Sequence, residues 1–139
     1  MYLWENHLAF SSYLLENFSN IDAKHREAAL RTIIHNDYYA CFHKVKQLNE
    51  LHGYSTVGGG NNSHNDVIDK IRNYNVDLTL REKQKIIREL KEMKDYRRKA
   101  DYKEGASYIF KIEIVTDLHQ KSIKLFESLR DFESNKNQN

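Results

Sequence analysis

The length and composition of the chain are those of one small helical domain. It has 139 residues, the usual size of a domain with a single hydrophobic core. Hydrophobic residues make up 40% and charged residues 30%, which argues against disorder and fits amphipathic helices. Proline is absent and only five glycines occur, so little interrupts a helix. We predict an all-α domain over residues 1–132, followed by a disordered polar tail over residues 133–139.

The cysteine content and the N-terminus indicate an intracellular protein. Because Cys41 is the only cysteine, no intramolecular disulfide can form, and a reducing compartment is favoured. Residues 1–7 have neither the basic start nor the long apolar core of a secretory signal. No run approaches the roughly 20 apolar residues of a membrane span. We therefore expect a cytoplasmic protein that does not interact with a membrane.

The basic residues are concentrated in one part of the chain. The net charge is only +2, which by itself says little about partners. Residues 81–103, however, contain ten Lys or Arg and five Asp or Glu, a local charge of +5. We expect any site for a polyanion to involve this segment.

Two amphipathic segments occupy the first third of the chain. The first runs over about residues 2–18, with apolar residues at helical spacing. A Ser-x-x-Asp capping motif at residues 19–22 predicts the start of a second helix. That helix is expected to end where Gly53 can adopt the left-handed conformation of a C-cap.

Three further helices are predicted after a glycine-rich segment. Residues 55–62 are interpreted as a mobile loop, because a phosphate-binding loop would need a preceding strand and a Lys-Ser/Thr ending. Capping boxes at residues 63–66 and 79–82 open a short helix and a long one that ends near Ala100. The last helix is expected over about residues 105–132. Four long helices and one short helix predict an up-and-down bundle.

A row of polar and aromatic side chains recurs every four residues on the second helix. Arg31, His35, Tyr39 and His43 share one face of that helix. His35 and His43 are eight residues apart, roughly 12 Å along a helix, which is too far to share one metal ion. The other histidines lack paired Cys/His spacing, so we predict neither a metal site nor a cofactor. The row is interpreted as the polar flank of an amphipathic helix.

A carboxylate on the apolar stripe of the same helix requires a partner. Asp37 lies among apolar residues, where an ionised side chain is costly unless it is paired. Arg97 is the predicted partner, in a segment that mixes charges with aromatic rings. Two interpretations stay open: the segment ties two helices together, or it binds a ligand. The candidate binding residues are Asp37, Tyr38, Arg97, Arg98, Asp101 and Tyr102.

A basic row also runs along the fourth helix. Arg88, Lys91, Lys94 and Arg98 follow one another at steps of three, three and four. Such a row can track phosphates, but interleaved acidic residues are also typical of a solvated helix face.

Three segments resemble the prokaryotic HEPN family. Residues 35–44 contain a Tyr-Tyr-Ala-x-Phe-His run like the signature of that family, and residues 97–102 are similar to its Arg-x-x-Ala-Asp-Tyr element. Between them, residues 63–67 resemble a Ser-His-x-x-Val helix start. The likeness spans residues 28–129 and keeps the order and spacing of the three motifs.

The resemblance implies a helical bundle that forms homodimers and stands beside a small nucleotidyltransferase in a toxin–antitoxin or defence pair. Many HEPN domains are metal-independent ribonucleases with an arginine followed, after four to six residues, by a histidine. Here no histidine follows Arg97 or Arg98 before His119. We therefore expect a module that binds RNA, a nucleotide or a nucleotidyltransferase partner. The alternative is a ribonuclease that assembles Arg97 and Asp101 with His43 or His64 across a homodimer.

Overall fold

A computed structural model describes residues 3–54, 63–102 and 108–137 of the chain. Within these ranges the structure contains helices and no strand, which confirms the all-α prediction there. The helices are α1 (Glu5–Glu16), α2 (Ala23–Leu51), α3 (His64–Asp69), α4 (Leu80–Asp101) and α5 (Ile112–Asn137), with short 3₁₀ helices at Phe18–Asn20 and Lys70–Asn73. The predicted loop at residues 55–62 lies outside the described ranges.

None of the described helices combines the length and the apolar character that crossing a bilayer requires.

Two of the three predicted capping boxes are confirmed. Ser63 Oγ accepts a hydrogen bond from the Asp66 N–H at 3.2 Å, and Thr79 Oγ1 accepts one from the Glu82 N–H at 3.1 Å. The box at residues 19–22 is wrong, because α2 begins at Ala23 and Asp22 forms no side-chain capping bond. Arg26 stabilises this turn instead by donating to two backbone carbonyls.

The C-terminus of α2 has the geometry that its glycine predicts. Gly53 has a φ of +88°, in the left-handed region. The Tyr54 N–H donates to the Asn49 carbonyl at 2.7 Å, and the Gly53 N–H donates to the Glu50 carbonyl at 3.2 Å. These two bonds form a Schellman motif, which satisfies carbonyls at the helix end.

Helix α5 differs from its prediction at both ends. It begins at Ile112 rather than near Gly105, because Arg31 holds the preceding segment through a 2.7 Å bond from Nη2 to the Tyr108 carbonyl. Its helical backbone continues to Asn137, into the predicted disordered tail. The half-buried ion pair between Lys44 Nζ and Glu133 Oε1, 2.5 Å apart, holds this end of the helix against α2.

Helix α2 lies at the centre of the bundle and packs against the other four helices. Contacts along its length show that α1 and α4 run antiparallel to it and that α5 runs parallel to it. The contacts are Trp4 with His43 and Ser11 with Ile33 for α1, Tyr39 with Arg97 and Arg31 with Ala100 for α4, and Asp37 with His119 and Cys41 with Ser122 for α5. Consecutive long helices therefore alternate in direction, as in an up-and-down bundle.

The apolar interior consists of two clusters. The larger one surrounds the second half of α2 and includes Tyr38, Leu48 and Leu129. The smaller one surrounds its first half and includes Ile33 and Val115. Asp37 lies between the two clusters, so the boundary between them is polar.

The Schellman motif generates a stability prediction. Gly53→Ala should lower the free energy of unfolding by about 1 kcal/mol, because a Cβ disfavours the left-handed region. No atom lies within 4 Å of the added Cβ, so the cost is conformational rather than steric. Gly53→Asn should cost less, since asparagine tolerates this region better. Urea unfolding measures both, and equal losses would contradict the explanation.

Candidate functional site

The buried carboxylate of Asp37 pairs with a histidine from α5. His119 Nδ1 lies 2.8 Å from Asp37 Oδ2, and the opposite ring nitrogen, Nε2, lies 2.7 Å from Ser12 Oγ. Asp37 is 3% exposed and His119 is 2% exposed. The predicted partner, Arg97, contacts Tyr38, Tyr39 and Asp101 instead, so the predicted Asp37–Arg97 pair is wrong. Sequence reasoning missed His119, which lies far along the chain and in no motif.

The Ser12–His119–Asp37 chain has the connectivity of a catalytic triad, but its setting is structural. Ser12 lies in the middle of α1, where backbone N–H groups are used in helical hydrogen bonds and cannot stabilise an oxyanion. Burial raises the pKa of Asp37, and the hydrogen bond from His119 opposes that rise. We interpret the chain of bonds as a polar layer that joins α1, α2 and α5.

The polar layer generates the second prediction. His119→Ala should lower the free energy of unfolding by about 3 kcal/mol, because it removes the histidine that pairs with the buried Asp37 carboxylate. Ser12→Ala removes only the outer bond and should cost about 1 kcal/mol. In a double-mutant cycle, Asp37→Ala with His119→Ala should cost less than the sum of the single changes. Additive losses in chemical denaturation would contradict a coupled layer.

Arg97 is a buried cation with incomplete pairing. It is 5% exposed, and its Cζ lies 5.3 Å, 5.5 Å and 5.4 Å from the ring centres of Tyr38, Tyr39 and Tyr102. Nη1 donates to Tyr102 Oη at 3.1 Å, whereas Asp101 Oδ2 is 4.0 Å away. Nε has no hydrogen-bond partner in the described part of the chain. Four of the six predicted binding residues thus meet here, and Asp37 does not join them.

The carboxylate of Asp101 is engaged mainly by a histidine. His35 Nδ1 lies 2.7 Å from Asp101 Oδ2, closer than the Arg97 guanidinium. The His35 ring also contacts Tyr39, with ring centres 4.7 Å apart. The interpretation of His35 as a plain polar flank is therefore too simple, since its ring binds the carboxylate nearest to Arg97.

Three helices contribute rings to one surface beside Arg97, which we call the histidine surface: Trp4, His7, His35, Tyr39, His43 and His64. Trp4 stacks on His43, with ring centres 3.8 Å apart and planes 12° apart. His64 Nδ1 lies 2.7 Å from Tyr38 Oη. Because Tyr38 contacts both His64 and Arg97, these two groups come together within one chain. Sequence reasoning had not included Trp4.

Three imidazoles of this surface, those of His7, His43 and His64, have lowered pKa values and are held in their neutral form. Burial, followed by the charge of Lys46, lowers the pKa of His43 to about 4. Burial lowers the pKa of His64, with the Arg97 guanidinium as the next cause. The pKa of His7 is also lowered, again mainly by burial. At neutral pH these rings can therefore accept a proton or stack without a charge of their own.

Two of the four residues in the predicted basic row are engaged by contacts within the chain. Lys91 Nζ lies 2.8 Å from Asp69 Oδ1, and Lys94 Nζ donates to Asn65 Oδ1 at 2.9 Å. Both lysines therefore tie α4 to the α3 region, while Arg88 and Arg98 are exposed. These contacts favour a structural use of the inner lysines over a continuous phosphate track.

Arg31 positions the end of α4 that carries the candidate site. Its Nη1 donates to the Lys99 carbonyl at 2.8 Å and to the Ala100 carbonyl at 3.1 Å. A guanidinium at a helix C-terminus also interacts favourably with the helix dipole. Arg31, predicted as one member of a polar row, therefore fixes Asp101 and Tyr102 at the C-terminal end of α4.

A separate groove lies between α4 and α5. Its volume is about 650 Å³, and its lining combines apolar Ile86, Leu125 and Phe132 with charged residues such as Lys85 and Asp131. No member of the histidine surface lines it. The groove and the site around Arg97 are therefore distinct features of the bundle.

No protein-family model, curated protein or solved structure matches the chain. In the described ranges, no three His, Cys, Asp or Glu side chains are grouped to hold a metal ion.

The lowered pKa of His43 generates a pH prediction. The folded state protonates His43 near pH 4, whereas the unfolded chain protonates it near its ordinary 6.5. Between these values the unfolded state binds more protons, so His43 makes the free energy of unfolding fall as the pH drops. His43→Gln should weaken this fall between pH 6.5 and pH 4.

The matched control is His25→Gln, which changes an exposed histidine in the first turn of α2. It should leave the pH profile of urea unfolding close to that of the unaltered protein. Asp37 acts in the opposite direction, because its pKa is raised, and it contributes equally to all three profiles. Superimposable profiles for the His43 variant and the unaltered protein would contradict the assignment.

Proposed function

We propose that the chain is a HEPN-like module that binds RNA, with Arg97 as the phosphate-binding residue. The observation that carries this proposal is the buried, incompletely paired guanidinium of Arg97. As features implied by the resemblance, the proposal includes a homodimer, a small nucleotidyltransferase partner, a toxin–antitoxin or defence setting and a cytoplasmic location.

The pairing of Arg97 supports an anionic ligand. A buried cation is costly unless its charge and its N–H groups are matched. The nearest carboxylate, Asp101, is 4.0 Å from Arg97 Nη1 and already binds His35 at 2.7 Å. A phosphate group suits a guanidinium, because two of its oxygens can accept parallel N–H bonds. A phosphate group would accept the hydrogen bonds of Arg97 that Asp101, at 4.0 Å, does not accept.

The surroundings of Arg97 support the same ligand class. Tyr102 is 49% exposed and its ring lies against the guanidinium, so it is the cover that a ligand would displace. Lys46 and Lys94 add positive charge close enough to lower the pKa of His64. Clustered positive charge attracts polyanions and speeds their association. A single-stranded RNA offers both phosphates for these cations and bases for the neighbouring rings.

One observation favours a second candidate, a metal-independent ribonuclease. His64 and Arg97 both contact Tyr38 in the same chain, so a neutral imidazole lies near a phosphate-binding cation. Such an imidazole could take the proton of an RNA 2′-hydroxyl while Arg97 stabilises charge on the phosphate. The pair formed by His35 and Asp101 is a further proton-transfer group. This arrangement does not need the assembly across a homodimer that the sequence suggested.

Arg97→Ala tests the proposal. It should weaken binding of a fluorescent single-stranded RNA about tenfold or more, because a charge-assisted interaction with phosphate is lost. Arg97→Lys keeps the charge but not the two parallel donors, so an intermediate loss is expected. Arg88→Ala, an exposed arginine on the same helix, is the matched control and should change affinity less than about twofold.

Fluorescence anisotropy across a salt series provides the measurement. The affinity should fall steeply with salt, since phosphate neutralisation releases counterions. An affinity that does not change with salt, or equal losses in the Arg97 and Arg88 variants, would contradict the proposal.

Denaturing gels of the same samples test the second candidate, the ribonuclease. Metal-free cleavage that disappears in Arg97→Ala and His64→Gln supports a ribonuclease, whereas RNA that stays intact excludes this candidate.

A further inference from the structure

We propose that two copies of the chain associate through reciprocal docking, in which α1 of each copy lies in the groove between α4 and α5 of the other. We call this groove the α4–α5 groove. The inference rests on the homodimer included in the proposed function and names the surfaces that form it. It does not depend on the phosphate site around Arg97.

The outer face of α1 is apolar and exposed. Phe10 and Tyr13 are 48% and 58% exposed, and their rings stack with centres 6.2 Å apart. Leu3, seven residues before Phe10 and just ahead of the helix, is 52% exposed. On the opposite face, Leu8 is buried in the larger apolar cluster. A helix that is apolar on both faces is normally covered on both, so the outer face of α1 indicates an interface.

The α4–α5 groove is open because its two walls have few contacts with each other, although both helices pack against α2. The groove of about 650 Å³ continues into a cavity of about 200 Å³, and the two share Glu89, Lys121 and Leu125. Along α5 they extend from Leu118 to Phe132, a length of about 21 Å. Helix α1 has 12 residues and is about 18 Å long, so the groove can hold it.

The walls of the groove have the residue spacing by which helices pack side by side. Leu118, Leu125 and Phe132 follow one another at steps of seven on α5. Ile86 and Met93 are seven apart on α4. Apolar residues at this spacing form the holes that receive side chains of a neighbouring helix. The groove therefore suits a helix as its occupant.

The charges of the groove favour a second copy of the chain as the source of that helix. The walls carry equal numbers of basic and acidic residues: Lys85, Lys121, Lys124, Glu82, Glu89 and Asp131. This balance leaves no excess of positive charge for a polyanion. The α5 wall presents Lys121 and Lys124, both exposed. Helix α1 contains no lysine or arginine, and its Glu16 is exposed, so an ion pair with the α5 wall is available.

The position of α5 between the two surfaces allows the docking to be reciprocal. Helix α1 contacts α5 at His119 and Arg130. The groove lies along another face of α5, which includes Lys121, Leu125 and Ser128. A two-fold axis beside α5 therefore brings α1 of each copy opposite the groove of the other. Two-fold dimers are the commonest closed assemblies, and they bury the same contact twice.

Direct pairing of α1 with α1 of a second copy is the alternative use of the exposed rings, and it makes a different prediction. Ser128 is a small, half-buried residue of the groove, and Ser128→Trp adds a bulky ring there. This change should block reciprocal docking but leave an α1–α1 contact unaffected. Phe10→Ala combined with Tyr13→Ala, the double alanine variant, should weaken either contact.

Analytical ultracentrifugation of the full chain without RNA, over about 1 to 200 µM, measures the association. We expect the mass to rise with concentration from 16.6 kDa towards that of a dimer. Ser128→Trp and the double alanine variant should each weaken association about tenfold or more, and Lys121→Glu about threefold or more. Leu51→Ala, a change of an exposed apolar residue at the end of α2, is the matched control and should have less than about a twofold effect.

An equal mixture of the Ser128→Trp and double alanine variants distinguishes reciprocal docking from the alternative. The first variant keeps its α1 and the second keeps its groove, so a mixed dimer retains one of the two contacts. The mixture should therefore associate about threefold or more tightly than either variant alone. No gain in the mixture, unchanged association of Ser128→Trp, or a constant mass of the unaltered protein overturns the inference.

The outcomes also separate this inference from the proposed function. RNA binding that depends on Arg97, by a chain that stays monomeric, overturns reciprocal docking and preserves the phosphate site. Association that requires the groove, without RNA binding, preserves the docking and overturns the phosphate site. Thermal unfolding shows whether each variant is folded, and the concentration series of the unaltered protein tests the contact without any substitution.

Discussion

The buried bond between Asp37 and His119 fixes the rotation of the central helix, and the candidate site depends on that rotation. Successive residues on a helix differ by about 100° in direction, so a helix whose Asp37 faces α5 must direct the next two side chains elsewhere. Those side chains are Tyr38 and Tyr39, and both lie against Arg97 of α4. A single polar layer therefore sets the interior of the bundle and the position of the tyrosines around Arg97.

His35 and Arg97 compete for the carboxylate of Asp101, and this competition leaves the positive charge of Arg97 incompletely paired. Asp101 is the nearest acid to Arg97, yet His35 binds it at a shorter distance. Arg31 fixes this arrangement by binding the carbonyls at the end of α4, which limits how far Asp101 can move towards Arg97. The aromatic rings stabilise the guanidinium through cation–π contacts. Of their hydroxyl groups, that of Tyr102 accepts a hydrogen bond from Arg97. Arg97 Nε consequently has no hydrogen-bond partner in the part of the chain that the structure describes.

The sequence predicted features that depend on residues close together in the chain. The caps at Ser63 and Thr79 and the left-handed Gly53 each follow from a few neighbouring residues and backbone geometry. The false cap at Ser19 shows the limit of that reasoning, because a 3₁₀ turn and Arg26 replaced the expected bond. The spacing of apolar residues predicted where the helices lie, but it did not predict how each helix is rotated about its axis. The predicted partner of Asp37 was therefore wrong. Arg97 and Tyr102 were found through local composition, whereas the contribution of Trp4 required knowledge of which helices meet.

The central position of α2 has a consequence for how the protein can change over evolution. Of its 29 residues, twelve are buried: they are Leu30, Ile33, Ile34, Asp37, Tyr38, Ala40, Cys41, Phe42, Lys44, Val45, Leu48 and Asn49. The other positions of α2 include His35, Tyr39 and His43, which belong to the histidine surface. Little of this stretch is free to vary without affecting either packing or the surface. Helix α4 has only five buried residues, so more of its positions can change singly than on the helix that holds the bundle together.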